Sequence, residues 1–191
     1  GGAATLIALA QKPRRIEKAV ISSFSPVVNE HMRDYLERGV KHLGAFDRHE
    51  VGYLVNNTIG KHLPSLFKRF NYRHVSSLDI HEYVQMHFHI SQVLTTDQLC
   101  YVDAAKRIDV PVLFLNGEWD EYTAADDAQL FGDHVRHSEF CTLRATGHFL
   151  DMEHKAACRD SQEALLSFLK PTPVAKRPRY TQVQSHHAFA L

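Results

Sequence analysis

Asp120 and His148 are the two side chains whose types and placement could do chemistry together. Asp120 lies just past the Pro111-Val112-Leu113-Phe114-Leu115-Asn116-Gly117 run, an apolar stretch that opens at a proline and closes at a glycine. That is how a fully buried strand reads. His148 comes 28 positions later, behind Gly147, after one helix-like and one strand-like segment. A carboxylate and an imidazole are thus each delivered at a strand end. In an open parallel sheet, the crevice outside the strands' carboxyl ends is where ligands bind. A carboxylate that fixes the imidazole tautomer and stabilises the imidazolium turns histidine into a proton shuttle for a nucleophile. Taken singly, Asp120 reads as a turn residue and His148 as a satisfied polar group; the two together, in this order, carry the functional reading. The nucleophile is the missing part. Ser22, Ser23 and Ser25 lie at a strand end without a glycine-flanked turn, and Cys100, Cys141 and Cys158 are no better placed.

The elements that must position this pair follow from periodicity. Ala3 to Gln11 reads as a small-residue helix after a glycine turn, stopped by Pro13. Lys18 to Phe24 reads as a strand centred on Ala19-Val20-Ile21 and ended by Ser25-Pro26. From Val27 to about Ala105 apolar residues recur at helical spacing with no strand-like alternation. This stretch is expected to be about four helices inserted between two strands as a lid over the strand-end crevice, a usual place for substrate selection. A structural helical insert with no role in specificity is the plainer alternative. After the central strand, Tyr122 to Val135 reads as a helix with Thr123 as its N-cap and Asp126 and Asp127 in its first turns. Ser138 to Leu143 reads as a less apolar strand nearer the sheet edge, and Glu153 to Leu169 as an amphipathic helix ended before Pro171. The organisation expected is sheet core over 1–26, helical lid over 27–105, sheet core again over 106–170, and a disordered tail over 171–191. The fold class is α/β, with a parallel sheet covered on both faces.

Composition sets the outer bounds. The 191 residues fit one domain, and the formal net charge of zero gives no overall field for nucleic acid or a membrane surface. The three cysteines show no metal or redox spacing and read as reduced thiols of a cytoplasmic protein. No run approaches the roughly 18 apolar residues of a membrane helix, and no signal sequence opens the chain. His87 and His89 stand two apart on a predicted helix and face different ways, which argues against a metal. No metal and no cofactor are expected.

An acid after a buried strand, then Gly-His and a closing helix, resembles the last half of the α/β-hydrolases, whose chain order is nucleophile, acid, histidine. In that fold the nucleophile sits on a Gly-x-Ser-x-Gly turn before a helix. Gly1 would be the last glycine of such a turn, with the nucleophile two residues upstream. The segments Asn116-Gly117-Glu118-Trp119-Asp120-Glu121-Tyr122-Thr123, Thr146-Gly147-His148-Phe149-Leu150-Asp151, Asn57-Thr58-Ile59-Gly60-Lys61-His62-Leu63-Pro64 and Phe88-His89-Ile90-Ser91-Gln92-Val93-Leu94, with Gly1-Gly2, further resemble the rhamnosyltransferase A-subunit family, the hydroxyalkanoyloxy-alkanoate synthases of rhamnolipid biosynthesis. The resemblance covers residues 1 to about 170. It implies the C-terminal part of an α/β-hydrolase fold and an acyltransferase. That enzyme joins two β-hydroxyacyl thioesters, carried by acyl-carrier protein or coenzyme A, into a hydroxyalkanoyloxy-alkanoate. It maps the family's acid and base onto Asp120 and His148. The family's Ser-Trp-Gly-Gly turn would begin before Gly1, so the polypeptide as given is expected to be an inactive piece of a longer protein. Phe67, Phe70, Tyr83, Phe88 and Val93 are the candidate lid residues lining the acyl site. Lys61, Lys68, Arg69 and Arg73 are a candidate surface for an acidic carrier protein, with a solvated lid face as the alternative. Association with the rhamnosyltransferase partner subunit is a further expectation. A carboxylesterase or thioesterase using water, and a non-catalytic binding module, are the alternative functions.

Overall fold

The protein's structure is a computed structural model that describes residues 1–97 and 99–170. The expected tail over 171–191 lies outside the described residues. Among those described, three parallel strands form the sheet: β1 (Ala19–Ser22), β2 (Val112–Gly117) and β3 (Ser138–Leu143), in the order β1-β2-β3. Val112 sits opposite both Ala19 and Ser138, and Leu115 opposite both Ser22 and Cys141. Every residue of β2 is buried, as its unbroken apolar run requires of a central parallel strand. The exposed positions of β3 match its place at the edge of the described strands.

Alternation along β2 sends Val112 and Phe114 to one face and Leu115 to the other. On the first face Val112 and Phe114 meet Leu6 and Leu9 of α1 (Gly2–Ala10), Ala105 of α6 (Leu99–Ala105) and Phe131 of α7 (Ala125–Gly132). On the second, Leu115 meets Leu143, Leu150 and Ala164 of α8 (Lys155–Leu169). The buried Val, Leu and Phe side chains among these each contribute about 1.5–3 kcal/mol by leaving water. The packing on both faces fixes where β2 ends, and therefore where Asp120 begins its turn.

Between β1 and β2 the described residues run through α2 (Glu30–Gly44), α3 (Arg48–Asn57), α4 (Ser65–Ser77), α5 (Ile80–Thr95) and α6. Their starts are written locally. Asn29 caps α2 through Met32 N–H, Asp47 caps α3 through Glu50 N–H, and Asp79 with Glu82 forms a reciprocal capping box on α5. Leu43, Val51, Val75 and Tyr83 form a separate small core within this block. Among the described residues there are five helices here where about four were expected; α6 packs back on α1, beside the sheet.

Three boundaries differ from the sequence reading. β1 stops at Ser22 because Ser23 adopts a left-handed backbone with φ 46°, which ends an extended strand. α7 begins at Ala125 with Ala124 in the capping position and no side-chain cap, so Thr123 is not its N-cap. α8 begins at Lys155, capped by His154 accepting from Ala157 N–H at 3.1 Å, which leaves Glu153 outside the helix. No helix among the described residues is long and apolar enough to cross a membrane.

Candidate active site

The turn after β2 and the turn after β3 are laced together before either reaches its functional residue. Glu118 N–H donates to the Leu143 carbonyl at 2.9 Å and Trp119 N–H to the Thr146 carbonyl at 2.8 Å. The Glu118 carboxylate accepts Ala145 N–H at 2.7 Å. Gly117 is required here: a Cβ would stand 2.2 Å from the Gly147 carbonyl oxygen and 2.3 Å from that of Thr146. The Asn116 amide donates to the Thr123 carbonyl at 2.9 Å and closes the Asp120 turn from behind.

Within this frame His148 Nδ1 lies 2.8 Å from Asp120 Oδ2. Asp120 is 4% exposed, and both its oxygens are engaged. Oδ1 accepts Tyr122 N–H at 3.0 Å and Thr123 N–H at 3.1 Å, while Thr123 Oγ1 donates to Oδ2. Burial pushes the Asp120 carboxyl up. The hydrogen bond and charge of His148, together with the bonds from Thr123, outweigh it, so the group ends below the usual carboxylate range. An anionic Asp120 accepts the proton of Nδ1 and leaves Nε2 as the nitrogen able to take one from a substrate or nucleophile.

The backbone of His148 is pinned on both sides. Glu153, 6% exposed, accepts Gly147 N–H on Oε2 at 2.7 Å and Phe149 N–H on Oε1 at 3.1 Å, bracketing the histidine. Ser23 Oγ donates to the His148 carbonyl, so this serine holds the loop rather than the imidazole ring. Ser25 Oγ accepts Val27 N–H, and Ser22 is an exposed strand residue. Neither Thr123 nor Glu153 was singled out for this role from sequence. The signal for both was their position, three residues after an acid and five after a histidine in tight turns.

His148 opens onto a cavity of about 250 Å³ lined by Gly1, Gly2, Ser23, Phe24, Val28, Met32, Tyr35, Leu36, Val93, Tyr101 and Thr123. Its wall is largely apolar and comes mainly from the start of α1, from the residues after β1 and from α2, with Val93 contributed by α5. Tyr35 keeps a neutral hydroxyl there: burial, then the neighbouring Tyr122 phenol, pushes it up to about 12. Of the five lid residues picked from sequence, Val93 lines this cavity. Tyr83 does not: it is fully buried in the core of the helical block, its hydroxyl donating to the Val75 carbonyl at 3.1 Å. Phe67, Phe70 and Phe88 are 40%, 56% and 58% exposed and stand outside it. Helical spacing finds the apolar faces of a helix block but not which of them turns toward the sheet. Among the described residues no three His, Cys, Asp or Glu side chains converge as a metal site would require.

No family model matches the chain. Over all of its length it is 62% identical to proteins named (R)-3-hydroxydecanoyl-ACP:CoA transacylase from Ectopseudomonas oleovorans and Pseudomonas putida, and it spans 65% of each. A protein of the same name from Pseudomonas aeruginosa is 56% identical over 90% of the present sequence, which covers 57% of that relative. Among solved structures it is similar to an α/β-hydrolase from a Medee basin deep-sea metagenome library (14% identity, TM-score 0.70, covering 63% of that protein and 91% of this one). A hydrolase from Pseudomonas aeruginosa is a second (22% identity, TM-score 0.69, covering 62% and 90%). These likenesses show the fold to be that of the α/β-hydrolases.

Proposed function

This chain is a homologue of the (R)-3-hydroxydecanoyl-ACP:CoA transacylases and has the α/β-hydrolase fold; from that premise we propose that it carries the acid and base of a β-hydroxyacyl transferase. The observation that carries the reading is the 2.8 Å contact between His148 Nδ1 and a buried, fully hydrogen-bonded Asp120, at the mouth of an apolar cavity. His148 takes the proton of a serine hydroxyl that attacks the acyl thioester, and Asp120 holds the imidazole and stabilises the imidazolium. The serine itself is proposed to belong to the longer protein, since the sequence spans 65% of the relatives it matches.

His148 gives the serine proton to the departing carrier thiol as the acyl-enzyme forms; in the second half-reaction it takes the proton from the acceptor, which attacks the acyl-enzyme carbonyl, and returns it to the serine oxygen as the ester product leaves. We take the acceptor to be the β-hydroxyl of a second acyl group, giving a hydroxyalkanoyloxy-alkanoate. Transfer outruns hydrolysis only where water is kept out, and the walls contributed by Val28, Met32, Leu36 and Val93 are suited to that. The helical block over residues 27–105 is the lid in this account. The name of the relatives favours a second acceptor, the thiol of coenzyme A.

Product analysis separates the acceptors. The protein including the serine turn, given a β-hydroxyacyl carrier-protein thioester with and without coenzyme A, is expected to release the ester of two hydroxyacyl groups. Acyl-coenzyme A as the dominant product would establish the second reading, and free hydroxy acid alone would make the protein a thioesterase. No turnover of any acyl ester would overturn the enzyme assignment.

A further inference from the structure

The helical block is tied to the Asp120 turn at three points. Asn29, the cap of α2, donates from its side-chain amide to the Glu121 carbonyl at 3.0 Å. Lys61 pairs with the Glu121 carboxylate at 2.7 Å. Tyr35 of α2 packs edge-on against Tyr122 with ring centroids 5.9 Å apart, and Tyr122 N–H donates to Asp120 Oδ1. Tyr35 is therefore held in a set place relative to the acid–base pair, and it lines the same cavity as His148. The other hydroxyls in that wall are engaged. Ser23 Oγ donates to the His148 carbonyl, Ser25 Oγ accepts Val27 N–H, Thr123 Oγ1 donates to Asp120, and the Tyr101 hydroxyl has the Thr96 side chain as its partner. The Tyr35 hydroxyl has no hydrogen-bond partner among the described residues. Nor is it sealed off: among the described residues the buried side-chain atom left without a partner is His62 Nε2, so the phenol oxygen keeps access to the cavity. Pushed up to about 12 by burial and then by Tyr122, the phenol stays a neutral donor at neutral pH.

A hydroxyl carried into an apolar cavity is costly unless it finds a partner there. The β-hydroxyl of the acyl chain on the serine is such a group, since His148 Nε2 is occupied with the reacting protons. We infer that the Tyr35 hydroxyl donates a hydrogen bond to the β-hydroxyl of the acyl chain held at His148, and so selects β-hydroxyacyl groups over unsubstituted ones. This rests on the acyl-transfer reading and deepens it by naming the side chain that reads the β-carbon. A site built to hydrogen-bond a substrate hydroxyl rejects the analogue lacking it, because the site's own polar group is then left unpaired. Tyr35 makes no bond to the reacting atoms in this account, so its loss changes the choice of acyl chain and not the chemistry at His148.

The test is Tyr35→Phe in the whole protein including the serine turn, assayed with β-hydroxyacyl and unsubstituted acyl thioesters of equal chain length. The ring and its contact with Tyr122 remain, and the unsubstituted thioester controls for folding. We expect kcat/KM for the β-hydroxyacyl thioester to fall about tenfold or more and that for the unsubstituted one to stay within about twofold, so that the preference between them shrinks. An unchanged preference, whether both values fall equally or neither falls, overturns the proposal; equal falls would put the phenol at the thioester carbonyl instead. A second measurement needs no turnover: titration calorimetry of the free β-hydroxy acid and the unsubstituted acid on His148→Ala and on His148→Ala/Tyr35→Phe. Removing the phenol hydroxyl should weaken binding of the hydroxy acid alone, and equal weakening or none overturns the proposal. Failure of the acyl-transfer reading would show as no turnover of any thioester and would leave this binding comparison to decide the role of Tyr35, so the two failures are separable.

Discussion

Removing the Glu153 carboxylate should loosen the His148 turn more than any other single change outside the acid–base pair. Glu153→Ala deletes two hydrogen bonds from backbone N–H groups to a charged acceptor, at Gly147 and Phe149, and leaves the donors behind. Bonds to charged groups are worth about 1.5–3 kcal/mol each. Gly147 N–H is in a buried bond and Phe149 N–H in a part-buried one, which water can replace in part. The expected loss is therefore about 3–5 kcal/mol, a large share of the roughly 5–15 kcal/mol a native domain has. Glu153→Gln keeps a carbonyl oxygen for one of the two donors and should lose about half as much. The assay is urea unfolding followed by the fluorescence of Trp119, the sole tryptophan, which sits in the facing turn and lies 5.5 Å from the His62 ring. A loss below about 1 kcal/mol for the alanine variant, or equal losses for Gln and Ala, would refute the reasoning.

Three further outcomes follow from the same geometry. Thr123→Val removes the hydroxyl donor to Asp120 at nearly constant volume, and should lower turnover tenfold or more with substrate affinity unchanged, read as kcat against KM. Gly117→Ala drives a methyl into the carbonyls of Thr146 and Gly147 and should displace the histidine turn, seen as lost turnover and a melting temperature lowered by several degrees. The depressed Asp120 carboxyl contributes stability that is fully present above the unfolded value of about 3.9 and is lost as pH falls through the lower folded value; Asp120→Asn should flatten that acid limb of the unfolding curve.

What could be read from the residues was the framework. β3 falls on Ser138–Leu143 as its pattern predicts, and β2 occupies the apolar stretch and runs on to Gly117, because continuous hydrophobicity between a proline and a glycine is what a strand buried on both faces demands. The meeting of Asp120 with His148 was legible from the order of strand ends alone. Thr123 illustrates what was not. Its type and place suited a helix cap, but the nearby aspartate competes for the same hydroxyl, and the helix starts two residues later. Glu153 similarly suits the first turn of a helix, and only the fold shows its carboxylate turned back onto the histidine loop. The lid residues failed for a different reason. Phe67, Phe70 and Phe88 are apolar at helical spacing, yet which helix face meets the sheet depends on packing between α2, α3 and α5 that no local pattern encodes.

The central claim is that His148, held by Asp120, moves the protons of acyl transfer. Its most direct test is steady-state turnover of a β-hydroxyacyl thioester by the protein including the serine turn, compared with His148→Ala and Asp120→Asn. The account predicts a loss of about a thousandfold or more for each, with the double variant scarcely worse than either single one, because the residues act as a unit. Turnover within a few fold of the unaltered protein in either variant would contradict it.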